Sequence, residues 1–189
     1  DLAARFEVSR DTLREAIRSL AEAGYLVSRR GRYGGTFVVD VLPPAADTVA
    51  PTAAELDDAL GLREILEVGA ARAAASRDLS AGERSLLWKR LGESAAASLD
   101  DHRRLDSRLH LTIGELAGLP SLVELLAENR MRVNGYLDGI PFLIPNLDHS
   151  NHQHEAVVAA ILTGDADAAA AAMSEHLRGT AALLRGFLR

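Results

Sequence analysis

The 189-residue sequence predicts a mainly α-helical protein: an N-terminal winged helix-turn-helix with a small β-hairpin wing, then an all-α antiparallel helical bundle. Three observations support this fold class. Apolar residues recur with helical period through nearly all of residues 55–189. Two short β-rich runs lie within the first 40 residues, on either side of a glycine-rich turn. Hydrophobic residues make up 48% of the chain but aromatic residues only 4%, and the abundant alanine favours closely packed helices.

Two helices are predicted before the hairpin. Leu2 and Phe6 have the spacing of one face of a short first helix. Ser9 is a suitable N-cap for a second helix over residues 10–23, because its hydroxyl can accept a hydrogen bond from the first turn. Gly24 then provides a helix C-terminus.

The hairpin is predicted from β-rich runs at residues 25–28 and 36–39. The turn between them, residues 29–35, reads Arg-Arg-Gly-Arg-Tyr-Gly-Gly and combines glycine with positive charge. Helix, turn, helix and hairpin in this order are typical of a winged helix-turn-helix. We therefore expect one small domain over residues 1–40.

The remainder of the chain predicts a linker and a bundle. Residues 41–54 predict the linker, because Pro43, Pro44 and Pro51 interrupt regular structure. Six helices follow within residues 55–189, and their short connections favour an antiparallel bundle. The predicted helices cover residues 55–76, 80–98, 100–117, 120–138, 151–163 and 166–188.

Composition excludes several classes of protein. The chain has no cysteine, so a metal ion would need His, Asp or Glu ligands. No apolar stretch approaches the roughly 18 residues of a membrane helix and no signal peptide is visible, so we expect a cytoplasmic protein without a membrane partner. The formal net charge is −6, but residues 1–40 carry seven arginines against six acidic residues, a net +1, which is compatible with a nucleic-acid partner.

The second helix and the wing contain candidate DNA contacts. The second helix of a helix-turn-helix enters the major groove with its N-terminal residues toward the base edges. Arginine there can bind guanine, Ser or Thr can hold phosphate, and a basic glycine-rich wing suits the backbone or the minor groove. The alternative is an exposed helix whose arginines only pair with Glu15 and Glu22. The candidate contacts are Ser9, Arg10, Asp11, Thr12, Arg14, Arg30, Gly31 and Arg32.

An aspartate and three histidines in the bundle form a candidate metal site. Asp106 and His110 are four residues apart and share one face of a predicted helix. His154 is predicted to open the fifth bundle helix, and His176 lies in the last one. Together they offer nitrogen and oxygen ligands suited to zinc, nickel, manganese or iron.

Spacing alone leaves alternatives open. An Asp and a His four residues apart more commonly form a surface pair than a metal site. His152 competes with His154 as a ligand. We expect His149 and His152 in a loop or at a helix start, and His102 to be exposed.

The N-terminal motifs resemble those of the GntR family of bacterial regulators. Residues 8–18, which read Val-Ser-Arg-Asp-Thr-Leu-Arg-Glu-Ala-Ile-Arg, and residues 20–26 are similar to the family signature. Residues 30–38 are similar to its wing. The resemblance implies a DNA-binding transcriptional regulator. Family members usually carry another helix ahead of Leu2, so we expect the N-terminal domain to be incomplete in this sequence.

Residues 55–189 resemble the effector domain of the FadR-like subfamily, called FCD. The similar segments are residues 106–110, the turn at 118–122 and the last two helices, around residues 154–161 and 173–177. The resemblance implies that a divalent metal ion, with zinc the first expectation, is bound. The implied ligands are Asp106, His110, His154 and His176.

Arg63 matches an arginine in the first helix of that effector domain. The resemblance implies that it contacts the carboxylate of an organic acid effector, which a guanidinium group can hold bidentately. The alternative is a surface salt bridge with Glu67, four residues further on. Arg132 and Asn134 are further candidates for the pocket lining.

We therefore predict a homodimeric, metal-dependent repressor that binds a near-palindromic double-stranded DNA operator and responds to a small carboxylate effector. Two alternatives stay open. The metal could activate water in an enzyme, but no carboxylate is clearly placed as a base, since Glu155 points about 100° away from its neighbour His154 on a helix. The ion could also be purely structural, in which case its removal would unfold the bundle.

Overall fold

The computed structural model describes residues 2–6, 8–22, 24, 26–31, 34–39 and 51–188. The predicted fold class is confirmed: within these residues, two helices and a two-stranded hairpin are followed by six helices. The predicted domain border at residue 40 and most of the predicted linker lie outside the described residues. No helix in the described part is long and apolar enough to cross a membrane.

The N-terminal helices are α1 (Leu2–Arg5) and α2 (Arg10–Glu22). Ser9 caps α2, because its Oγ accepts a hydrogen bond from the backbone N–H of Thr12 over 3.0 Å. The cap satisfies one of the N–H groups that the first helical turn leaves unpaired. After α2, Gly24 has a φ of 82°, the left-handed conformation that commonly ends a helix.

The hairpin consists of β1 (Leu26–Arg29) and β2 (Gly35–Val38), paired antiparallel. The turn requires glycine at Gly34, because a Cβ there would lie 2.5 Å from the carbonyl oxygen of Arg29. The paired residues are Leu26 with Val38, Val27 with Phe37, Ser28 with Thr36 and Arg29 with Gly35.

Six helices form the C-terminal bundle. They are α3 (Ala53–Ala75), α4 (Ala81–Ala95), α5 (Leu99–Leu116), α6 (Pro120–Leu137), α7 (Ile144–Thr163) and α8 (Ala166–Leu188). The side chains of Thr52, Ser80 and Ser98 cap α3, α4 and α5, each accepting from the backbone N–H three residues further on. These caps fix where the helices start.

Helix α7 starts earlier than the sequence predicted. The expected start was residue 151, whereas the helix begins at Ile144. Pro145 lies in its first turn, where proline is tolerated because an N–H there has no partner within the helix. His152 therefore lies inside α7, and His154 lies near its middle rather than at its start.

Two apolar clusters pack along α3. The larger includes Ala71 and the smaller includes Leu56, and both side chains are fully buried. Near the junction of the clusters, α3 carries Arg63 and Glu67, which are 4% and 1% exposed. Because charged side chains are rarely buried unless they are paired, this point of the core marks a polar site.

Candidate metal centre and adjoining cavity

Four side chains meet inside the bundle: Asp106 and His110 from α5, His154 from α7 and His176 from α8. His154 Nε2 lies 3.1 Å from His110 Nε2 and 3.3 Å from His176 Nε2. It lies 3.4 Å from Asp106 Oδ1. Ligand atoms that share one ion at about 2.1 Å are separated by roughly 3.0–3.5 Å, so the cluster has the dimensions of a metal site.

Two of the histidines are held by partners on the far side of the ring. His110 Nδ1 donates to the Glu67 carboxylate, and His176 Nδ1 donates to Gln153 Oε1 over 3.3 Å. A neutral imidazole carries one N–H, so the Nε2 atoms of both rings present lone pairs to the centre. Metal-binding histidines are commonly oriented by such outer partners.

Hydrogen bonds alone do not satisfy this cluster. His154 Nε2 faces both lone pairs, and a neutral ring can donate one proton to only one of them. Its other nitrogen, Nδ1, is buried and has no hydrogen-bond partner among the described residues. A cation at the centre would interact favourably with all three imidazoles and with Asp106, so the residues fit a divalent metal ion.

The protonation states also suit a metal. Burial, opposed in part by Asp106, lowers the pKa of His154 to about 3. Burial and the neighbouring histidines hold the pKa of His176 well below its ordinary value. Burial would raise the pKa of Asp106, but the positive charge of Arg130 outweighs it and holds that pKa well below its ordinary value, so the carboxyl stays ionised. Neutral imidazoles and an ionised carboxylate are the forms that bind metals.

A buried ion-pair network lies behind the cluster. Glu67 accepts from Arg63 Nε over 2.9 Å and from Arg130 Nη1 over 2.8 Å. Arg130 Nη2 donates to Asp106 Oδ2 over 2.5 Å. Burial would raise the pKa of Glu67, but the two arginines and His110 outweigh it and hold that pKa well below its ordinary value. Each buried charge therefore has a partner of opposite sign.

Glu67 and Arg130 are site residues that the sequence analysis missed. The alternative of a surface salt bridge between Arg63 and Glu67 needs correction: the pair forms, but its side chains are only 5% and 2% exposed. Two opposite charges one turn apart on α3, Arg63 and Glu67, were a partial signal for Glu67. Arg130 gave no such signal, because its partners belong to other helices.

A cavity of about 180 Å³ adjoins the cluster. Arg63, Asp106, His176 and Asn134 are among its lining residues. The Nη1 atom of Arg63 is buried and has no hydrogen-bond partner in the described part of the chain. Asn134 Nδ2 donates to Ser107 Oγ over 2.8 Å. The cavity thus brings two of the three candidate effector residues to the side of the candidate metal centre.

The third candidate, Arg132, does not line this cavity. Its guanidinium donates to Asp58 Oδ2 over 2.8 Å and to Tyr136 Oη over 2.9 Å. A third bond joins it to the Glu55 carbonyl, and the side chain is 38% exposed. The structure therefore gives no support to Arg132 as a pocket residue. Glu155, considered above as a base, is exposed and also lies outside the cavity lining.

Two other histidines are also placed by the structure. His102 was expected to be exposed, but it is 9% exposed, lines the cavity and packs edge-on against Phe142 with ring centroids 6.0 Å apart. That expectation was wrong because the loop after α6 covers this part of α5. His152 is exposed and its Nδ1 donates to the Asp148 carbonyl over 2.7 Å. It is therefore not part of the cluster that contains His154.

The candidate DNA contacts within the described residues are exposed. Arg14 pairs with Asp11 over 3.1 Å at the solvent-facing start of α2. Gly31 has a φ of 116°, a conformation that favours glycine in the turn of the hairpin. Arg32 lies outside the described residues. The exposed candidates are Ser9, Arg10, Asp11, Thr12, Arg14, Arg30 and Gly31.

Two protein families match the chain. The family described as "Bacterial regulatory proteins, gntR family" matches residues 1–38. The family described as "FCD domain" matches residues 58–179. The second match contains all four residues of the candidate metal centre.

Individual relatives extend over most of the chain. An Escherichia coli (strain K12) protein named as an L-lactate dehydrogenase operon regulatory protein is 30% identical, over 93% of this chain and 72% of that protein. A Mycobacterium gastri protein named as the HTH-type transcriptional regulator RmpR is also 30% identical, over 94% of this chain and 67% of that protein.

Solved structures show the same architecture. Streptococcus agalactiae GntR is 26% identical with a TM-score of 0.60, covering 98% of this chain and 86% of that chain. Escherichia coli McbR/YncC is 19% identical with a TM-score of 0.65, covering 98% of this chain and 84% of that chain. At that identity the second likeness concerns the fold alone.

Proposed function

The chain belongs to the GntR family of bacterial regulatory proteins and carries an FCD domain, and on this premise we propose that it is a metal-dependent transcriptional repressor controlled by a small organic acid. The family and the relatives named as regulators indicate a transcription factor rather than an enzyme. The observation that carries the finer proposal is the meeting of Asp106 and three histidines beside a cavity lined by Arg63.

DNA binding is assigned to residues 1–40. The exposed start of α2 enters the major groove, where Arg10 and Arg14 contact base edges. Ser9 and Thr12 hold phosphate, and Arg30 in the wing contacts the backbone or the minor groove. Two copies of the chain, as a homodimer, bind the half-sites of a near-palindromic operator because two-fold symmetry of the protein matches that of the DNA.

The divalent metal ion is assigned to Asp106, His110, His154 and His176. A set of three imidazoles and one carboxylate suits zinc first, with nickel, manganese or iron as alternatives. When bound, the ion supplies positive charge and a coordination position for a carboxylate oxygen. Glu67 and Gln153 keep two of the imidazole rings oriented toward it.

A small carboxylate is the proposed effector. Arg63 lines the cavity and has an N–H without a partner, and guanidinium groups bind carboxylates with charge-assisted hydrogen bonds. Asn134 offers a neutral polar group in the same lining. The charges of the two buried arginines, Arg63 and Arg130, are balanced by those of Glu67 and Asp106. A bound divalent ion therefore gives the site a net positive charge, which an anionic ligand reduces.

Regulation requires that effector and DNA favour different arrangements of the dimer. In the sequence, residues 41–52 lie between the two functional parts, before α3 begins at Ala53. Linkage is reciprocal, so an acid that weakens DNA binding is itself bound more weakly, by the same factor, when DNA is present.

A purely structural ion is the second candidate role, because the four ligands come from α5, α7 and α8 and an ion there would cross-link three helices. Removal of the metal separates the two roles. A structural ion leaves an unfolded bundle, whereas a sensory ion leaves a folded bundle that no longer binds acid.

DNA binding measured with metal and acid varied separately tests the proposal. Duplexes are selected from a random pool by the metal-loaded chain, and fluorescence anisotropy is then recorded with a panel of small carboxylates. We expect at least one acid to change the DNA affinity by about fivefold or more. The change should vanish in His110→Ala and persist in His152→Ala. DNA affinity that no acid alters would contradict the effector part, and failure to select any duplex would contradict the DNA-binding part.

A further inference from the structure

We infer that the effector is a monocarboxylate with a compact apolar body, such as an aromatic ring or a branched alkyl chain. The inference rests on the proposed function and names the chemical class of its ligand. The cavity volume of about 180 Å³ is the first support. An apolar cavity of about 150 Å³ holds one benzene molecule, so this cavity has room for a ring-sized body and a carboxylate.

The wall of the cavity is largely apolar. Large side chains from α6, the α6–α7 loop, α7 and α8 contribute to it, and Ile140 among them is only 7% exposed. Such a wall gains free energy by covering apolar ligand surface. The apolar lining residues include Leu137, Ile140, Phe142, Leu143, Leu147 and Leu183.

The ligand carboxylate has a charged group in the cavity lining to bind. Arg63 and His176 belong to the same lining as these apolar residues, and His176 is also part of the candidate metal centre. Arg63 keeps one buried N–H without a partner in the described chain, although its Nε is bound to Glu67. An acid would therefore direct its carboxylate toward Arg63 and the metal, and its body toward the apolar wall.

A second carboxylate has no comparable partner. Arg103 also lines the cavity, but its Nε pairs with Asp138 over 2.8 Å and its Nη2 donates to the Leu137 carbonyl over 2.5 Å. Its guanidinium also stacks on Phe142, 4.5 Å from the ring centroid. Burial lowers the pKa of His102, which leaves that ring uncharged at neutral pH. A dicarboxylate would have to displace Asp138, so the geometry favours a monoacid.

Calorimetric titration of the full, metal-loaded chain tests this inference. The ligands are benzoate, 4-methylpentanoate, L-lactate and succinate. We expect the first two acids to bind about tenfold more tightly than lactate and succinate, or better, because only they cover the apolar wall. Phe142→Ala and Leu183→Asn should each reduce this preference, whereas Arg132→Ala, outside the cavity, should leave it unchanged.

The outcomes separate the inference from the proposed function. Lactate or succinate binding as tightly as benzoate would overturn the inference and leave an acid-sensing regulator in place. If Phe142→Ala and Leu183→Asn reduce the affinities for benzoate and lactate equally, while the helical circular dichroism is retained, the placement of the apolar body is overturned. No heat with any acid, from protein that carries its metal, would overturn both the inference and the effector part of the proposed function.

Discussion

The carboxylate of Glu67 on α3 accepts a hydrogen bond from Nδ1 of His110 on α5, 43 residues further along the chain. The same carboxylate accepts from Arg63, which lines the cavity, and from Arg130, which also binds Asp106. Glu67 therefore connects the candidate metal centre with the candidate carboxylate site. A charge bound on either side acts on this one group, which gives the two sites a physical route of coupling.

Glu67→Gln should weaken metal binding by about 10- to 100-fold, because an uncharged amide no longer makes His110 a strong ligand. The variant also removes the negative charge that pairs with the buried Arg63 and Arg130, which should lower the free energy of unfolding by about 3–5 kcal/mol. Competition with a chromophoric chelator measures the affinity, and urea unfolding measures the stability. Glu124→Gln, an exposed residue of α6, is the control. Unchanged metal affinity in Glu67→Gln would show that the carboxylate does not act on the centre.

Metal removal should lower the unfolding temperature without melting the bundle. An ion present at about 1,000 times its dissociation constant adds about 4 kcal/mol to the folded state, or about 10 °C for a chain of this size. Circular dichroism with and without a chelator measures both the temperature and the helix content. Loss of the helical signal at 25 °C after chelation would instead identify a structural ion.

Arg63→Gln should abolish most acid binding while the metal is retained. The variant removes a charge-assisted hydrogen bond to the carboxylate, which corresponds to about a 10- to 100-fold loss of affinity. Glu67 keeps Arg130 and His110 as partners, so the metal centre should remain assembled. Parallel metal analysis and acid titration measure the two properties, with Arg132→Gln as the control. An acid affinity equal to that of the unsubstituted chain would exclude Arg63 from the effector site.

Substitutions in the N-terminal part should separate base contacts from phosphate contacts. Arg10→Ala should reduce the binding free energy for the selected duplex by about 1–3 kcal/mol and should weaken the preference for one base. Arg30→Ala should reduce the affinity for all duplexes by a similar factor. It should also reduce the slope of log affinity against log salt concentration by about 1. Fluorescence anisotropy over a range of salt concentrations measures both effects. Arg72→Ala, exposed on α3 and paired with Asp167, is the control; an equal effect there would point to nonspecific loss of charge.

Much of the fold could be predicted because local patterns determine it. Helical periodicity and capping residues such as Ser80 give the bundle helices, and Ser9 gives the start of α2. The spacing of Asp106 and His110 places both on one helical face whatever the tertiary structure is. Helix α7 was misplaced because Pro145 suits the first turn of a helix as well as it suits a loop.

The contacts between helices could not be predicted from one sequence. Glu67 and Arg130 are 63 residues apart and meet only because α3 packs against α6. The positions of Arg132 and Asn134 follow once Arg130 is known to be buried. Residues two apart on a helix are about 200° apart, so Arg132 points outward, whereas Asn134 returns to nearly the same face as Arg130.

Metal content of the purified chain tests whether Asp106, His110, His154 and His176 bind a divalent ion. Elemental analysis is applied to the unsubstituted chain, to His110→Ala and to His152→Ala as the matched histidine control. We expect about one divalent ion per chain in the first and third proteins and almost none in the second. No bound metal in the unsubstituted chain, or equal amounts in all three proteins, would contradict this expectation.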